Sequence, residues 1–192
     1  MESDNLTRSL RDERSVDMPK ARKMLSDWEA TYMQSLIKLI ETQSKTTLAY
    51  WAIGYAERVI LPLWTNYDSD DFRPQKALKA SREWLSGEIK LPQAKAEILA
   101  CHAAAREAEG HPVAQAAARA IAQCASTIHS ARHCIGLAFY GALAVAYAQL
   151  GTDAPWSQIE QCAADECGRM LDALRVVAVE NEPNRAKINW KC

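Results

Sequence analysis

A chain of 192 residues is long enough to enclose one proper core, burying roughly 70% of the surface its unfolded form exposes, without a metal or disulfide staple. Its 23 Lys and Arg against 24 Asp and Glu leave no global field to draw it onto nucleic acid or anionic lipid, so neither is expected as a partner. No two of Cys101, Cys124, Cys134, Cys162, Cys167 and Cys192 have the CxxC spacing, which argues against zinc knuckles and redox pairs and for reduced thiols in the core.

The first twenty residues alternate in charge and carry no apolar run of the length a secretory signal needs, so a cytoplasmic protein is expected. Residues 1 to 17 hold too few apolar groups to offset the entropy of ordering and are expected to form a mobile arm. A single helical domain is expected from residue 18 to 192.

The first helix is predicted between Ser26 and Thr42, where Trp28, Tyr32, Met33, Leu36, Ile37 and Ile40 recur at helical spacing. A second starts at Ser44, a good N-cap, and runs to about Ile60, with Pro62 kinking or ending it. A third begins around Asp71 to Pro74 and stops at Gly87, and a fourth spans Pro92 to Gly110, both with proline inside the start and glycine beyond the end. Between Gly110 and Thr152 there is no Asp or Glu, and only Arg119 and Arg132 bear permanent charge. That segment must be mostly enclosed. A break among the polar and β-branched residues of 126 to 131 divides it into a fifth and a sixth helix. The apolar run Leu137 to Ala148 is shorter than the ~20 residues a bilayer span needs, so it reads as a core helix and no membrane span is expected. A seventh helix follows Pro155, its inner face lined by Trp156, Ile159, Cys162, Ala163, Met170, Leu171 and Leu174. After Val179 the chain should be extended, with Ile188 and Trp190 docked on the body, because two large apolar groups are costly to leave in water.

Twenty alanines between Ala94 and Ala148 mark where helix axes can approach closely. No segment alternates with period two. The expectation is an all-α protein: a single compact bundle of about seven helices with an Ala-rich centre and an extended C-terminal tail.

Few constellations could carry chemistry. His129 and His133 would share one face if a helix continued through them, which is half of a metal site, and only His102 or Cys134 could complete it. Ser130 stands where HExxH has its glutamate. The nearest acids in sequence are Glu109 and Asp153, too remote to orient the imidazoles, so no metal or other cofactor is expected and backbone carbonyls near the helical break should satisfy the rings. His102 and Arg106, also four apart, fit an interhelical hydrogen-bond network. Ser126 and Thr127 lack any triad or nucleophile-elbow context. Asp71 and Arg73 read as a helix start, with Asp71 capping and the pair placed to meet Arg82 or Glu88. Glycine-rich phosphate loops are missing.

The ordering of YAERVILPLW (55–64), DDFRPQKALKASREWLSGEI (70–89), CHAAAREAEG (101–110) and IHSARHCIGLAFYGALAVAYA (128–148), with the closing KINWKC (187–192), resembles a family of bacterial all-helical proteins classed as proposed immunity proteins, type-five-like, of polymorphic toxin systems. The resemblance implies a protein that binds and neutralises a cognate protein toxin rather than one that catalyses a reaction. Its motif falls on Arg73 and Pro74, on His102 and Arg106, and on His129 and His133, with no catalytic role implied for any of them. An immunity protein that blocks a cationic nuclease tends to present an acidic face, which a formal charge of −1 does not advertise. Two other readings stay open: a small helical enzyme or metal-dependent protein using His102, His129 and His133, and a structural homo-oligomer.

Overall fold

A computed structural model describes residues 21–190, so the arm expected at 1 to 17 and Cys192 lie outside the described residues. Seven helical stretches occupy 69% of the described residues, and no strand is present among them. They are α1 (Thr31–Ile40), α2 (Lys45–Tyr55) continuing through a π turn (Ala56–Ile60) into α3 (Leu61–Thr65), α4 (Arg73–Leu85), α5 (Leu91–Glu107), α6 (Pro112–Ser126), a stretch from a 3-10 turn (Ala131–Ile135) through a second π turn (Leu137–Ala142) into α7 (Leu143–Leu150), and α8 (Trp156–Val177).

Local chemistry explains most boundaries. The Ser44 hydroxyl accepts the Thr47 N–H at 3.2 Å and starts α2. Prolines open α3, α4, α5 and α6, where the missing N–H would have had no helical partner. Gly87 and Gly110 stop α4 and α5 at φ of 81° and 93°, a left-handed conformation that a Cβ would strain. Two expectations need correcting. The first helix begins at Thr31, not Ser26; residues 21–30 are irregular, held by Leu25 N–H donating to Phe139 O at 3.0 Å and by Trp28 against Phe139, ring centroids 4.6 Å apart. Of the two outcomes expected at Pro62, a kink or an end, the end does not occur, because the chain stays helical to Thr65. In the wide turn before this proline, Leu61 N–H reaches back to Ala56 O, and this lengthened register absorbs the position where proline has no N–H to give.

The alanines do what their size allows. α6 packs against α2, α3, α4, α5 and α7 and buries seven alanines together with Ile121 and Cys124, so it is the axis of the bundle. The stretch Ala131–Leu150 is 20 residues long and apolar enough to cross a membrane by length and composition, longer than the apolar run alone indicated. Within the fold 72% of its most apolar window is buried, the surroundings of a core helix. Cys101, Cys124, Cys134 and Cys167 are buried free thiols.

Beyond α8 the chain is docked, but it is not extended throughout as expected: turns at 180–181 and 183–184, with Asn181 at φ 55°, break it. Gln43, 2% exposed, accepts the Val179 N–H at 2.7 Å and donates to Val179 O at 3.3 Å, while its own backbone carbonyl accepts Ala186 N–H at 2.8 Å. Ile188 and Trp190 pack on the core, and the Trp190 indole N–H donates to Glu41 Oε1 at 2.8 Å.

Candidate functional site

The histidines converge on one side of the axis, although by a different route than a continuous helix. α6 ends at Ser126, where the Ser126 and Thr127 hydroxyls donate back to Ala122 O and Gln123 O, competing with the backbone ladder and ending it. A turn and the 3-10 segment then place His129 and His133 with ring centroids 5.2 Å apart. His102 approaches from α5, on the stripe Lys95, Leu99, His102, Arg106. That stripe lies about 100° around the helix from the buried Ala94, Ile98, Cys101 and Ala105.

His133 does not use a backbone carbonyl. Its Nδ1 lies 2.7 Å from Gln123 Oε1, so the ring donates there from Nδ1–H and leaves Nε2 as the free position. The contact depends on Gly136, because a Cβ at that position would sit 2.4 Å from Gln123 Cβ. His129 Nδ1 is buried and has no hydrogen-bond partner among the described residues. The network expected between His102 and Arg106 does not form among the described residues; the two share a helix face, with Arg106 exposed.

Electrostatics separates this region from the rest of the molecule. His133 is lowered to about 4, first by burial and then by the charges of His129, Arg132 and His102. Burial also lowers His102, helped by Arg106 and Arg119, and lowers His129, helped by Lys95 and Lys45. All three rings are therefore neutral at pH 7, and every charge acting on them is positive. No group of three or more His, Cys, Asp or Glu among the described residues is placed to hold a metal.

Asp71 and Arg73 form a different site. The N-cap of α4 is Phe72, not Asp71; Asp71, one residue earlier, accepts the Arg73 N–H at 3.0 Å and pairs with the Arg73 guanidinium at 2.6 Å, which holds its carboxyl below the usual range. Arg73 also reaches Glu107 at 2.6 Å. The pairing expected with Arg82 or Glu88 is not made, because Arg82 is taken by Glu57 through two hydrogen bonds. No hydrogen bond links this network to the three histidines.

Two groups escaped the sequence reading. Glu166 is 2% exposed on α8 and accepts from Tyr55 Oη–H and Arg169 Nε–H, both at 2.6 Å; its position between Ala163 and Met170 on the inner stripe was the available signal. Gln123 gave none, since its role needs the turn that returns His133 to α6. Beside His133 a recess of about 180 Å³ lies between Trp28, Phe139, Tyr140, Arg132 and Trp190.

A family model described as Imm-5 like putative immunity protein matches residues 38–173, which takes in the histidine face, the Asp71 to Arg73 helix start and most of α8. Comparison with curated proteins and with solved structures returns no match.

Proposed function

Since the chain belongs to the Imm-5 like putative immunity protein family, we propose that it acts as a stoichiometric binding protein that neutralises a cognate protein toxin in the cytoplasm of the producing cell. The family match over residues 38–173 carries this reading. The site geometry agrees with it. The histidines are neutral, and the nearest hydroxyls, Ser126 and Thr127, are buried and committed to helix carbonyls, so neither is aligned as a nucleophile with a base. What the same region offers is a partly exposed surface with an apolar centre, Leu99 being 66% exposed, which suits protein recognition.

The test is co-expression with the toxin encoded beside the gene, followed by purification and mass measurement by light scattering. The reading predicts restored growth and a complex of fixed stoichiometry whose formation consumes neither component. Restored growth without a complex would favour an enzymatic antidote. A mass that rises with concentration in the absence of toxin, with no complex in its presence, would favour the homo-oligomer.

A further inference from the structure

Among the described residues some cations of this molecule are held in ion pairs, and others, such as Lys38, Arg58, Lys76 and Lys90, are not. The ion pairs among the described residues engage Lys23, Arg73, Lys79, Arg82, Arg169 and Arg175. None belongs to the histidine face. There Lys95 and Arg106 stand exposed on the outward stripe of α5, one turn either side of Leu99 and His102. Arg119 of α6 and Arg132 of the 3-10 turn adjoin them, each close enough to depress a histidine. Lys45 contributes from α2 while lying 5.8 Å over the Trp84 ring.

The acids closest in sequence are turned elsewhere. Glu97 lies two residues from Lys95, about 200° around the helix. Glu107 is held by Arg73, and Glu109 lies 3.9 Å from Lys23. The 127–136 segment cannot supply a counter-charge, as no acid occurs between Gly110 and Thr152. A near-zero net charge thus conceals a face whose cations form no ion pair among the described residues, although Arg106 also helps lower its neighbour Glu107.

Resting on the toxin-binding reading, we infer that this face is the docking surface and that the partner presents an acidic patch to it, with an apolar group seated on Leu99. Three observations converge. The cations form no ion pair among the described residues and rim an exposed leucine, the arrangement of an apolar centre within a charged border. The recess at the edge of the face is walled by Trp28, Tyr140, Arg132 and Trp190, the residue types that most often anchor protein interfaces. The partly exposed histidines add hydrogen-bonding groups. An acidic protein surface fits better than nucleic acid because the positive area is small and surrounds an apolar centre, whereas phosphate-backbone binding draws on many cations arrayed along a groove.

The experiment pairs Lys95→Glu/Arg106→Glu with a control reversal elsewhere, Lys38→Glu/Arg175→Glu, all four side chains being exposed, so both proteins should fold; circular dichroism checks this. Binding of the neighbouring toxin is measured by calorimetry at low and high NaCl. The inference predicts roughly 10- to 100-fold weaker binding for the first variant, little change for the control, and wild-type affinity that falls with salt. A toxin that binds both variants alike overturns the inference and leaves the toxin-binding reading intact. If the toxin does not bind the wild type, that reading fails, and a poly-L-glutamate peptide becomes the probe. Shifts of the His102, His129 and His133 side-chain resonances with that peptide would support an acid-binding face. Absence of those shifts, or tighter binding of a single-stranded DNA 20-mer to the same face, would overturn it.

Discussion

The Asp71–Arg73–Glu107 network and the histidine face lie at two positions along α5, and they handle charge in opposite ways. At the C-terminal end of α5, Arg73 satisfies Asp71 and Glu107 together, and on α4 Arg82 is closed by Glu57. Those charges are internally consumed. On another face of α5, Lys95 in its first turns and Arg106 in its last lie beside histidines that burial lowers, and among the described residues neither forms an ion pair, although Arg106 also helps lower Glu107. The contrast teaches that a formal charge of −1 is a sum over unlike surfaces, and that the functional signal lies in which charges remain unpaired. Exposed pairs of the first kind contribute little to stability. An open cationic face contributes even less and is kept for something else.

The largest expected effect comes from a charge that is both buried and paired. Glu166→Ala strips the partner from the Tyr55 hydroxyl and from Arg169, and should cost about 3 kcal/mol in urea unfolding. A loss under 1 kcal/mol would show that water replaces the carboxylate and that this pair behaves like the exposed ones. Gly136→Ala comes next. The added Cβ meets Gln123 Cβ at 2.4 Å and should cost about 2 kcal/mol while freeing His133 from Gln123. An unchanged His133 tautomer by NMR would mean that the bond does not depend on the close approach.

Removing residues 183 to 192 takes away the Ile188 and Trp190 contacts and the Ala186 bond to Gln43. It should lower the melting temperature by about 3 °C, since roughly 1 kcal/mol of partly buried apolar contact is lost. No change would mark the tail as a free arm.

The smallest effect sharpens the comparison through pH. His133 titrates near 4 when folded and near 6.5 when unfolded, so between those values the unfolded chain binds more protons. Stability is therefore complete above about pH 6.5 and falls as the pH drops towards 4. Solvent access reduces the loss to roughly 1 kcal/mol, and His133→Gln should flatten that part of the profile. A pH profile that His133→Gln leaves unaltered would place the titrating group elsewhere.

Much of the fold was legible because proline and glycine punctuate the chain at helix ends, and because Met33, Leu36, Ile37 and Ile40 declare a helical face without reference to anything distant. The two π turns were not legible, since a single i to i+5 bond leaves the apolar period almost unaltered, and Pro62 looked like a kink or an end for that reason. The candidate site was half legible. Spacing brought out His102, Arg106, His129 and His133, and the acid-free stretch from Gly110 to Thr152 was plain in the sequence. Their shared surface was not, because it requires the turn at 127–130 to bring His133 back against Gln123 of α6. Asp71 and Arg73 were correctly read as a helix start, but their third partner, Glu107, lies 34 residues away, at a distance in sequence that no local pattern reports.

The four histidines report directly on whether a partner docks on the open face. His102, His129 and His133 occupy the open face, while His111 stacks on Tyr67, ring centroids 4.8 Å apart, and serves as an internal control. When the neighbouring toxin is titrated into protein with isotope-labelled histidine, the first three side-chain resonances should move together to a 1:1 end point while His111 stays in place. A complex that shifts His111 and leaves the other three unmoved would contradict docking on that face.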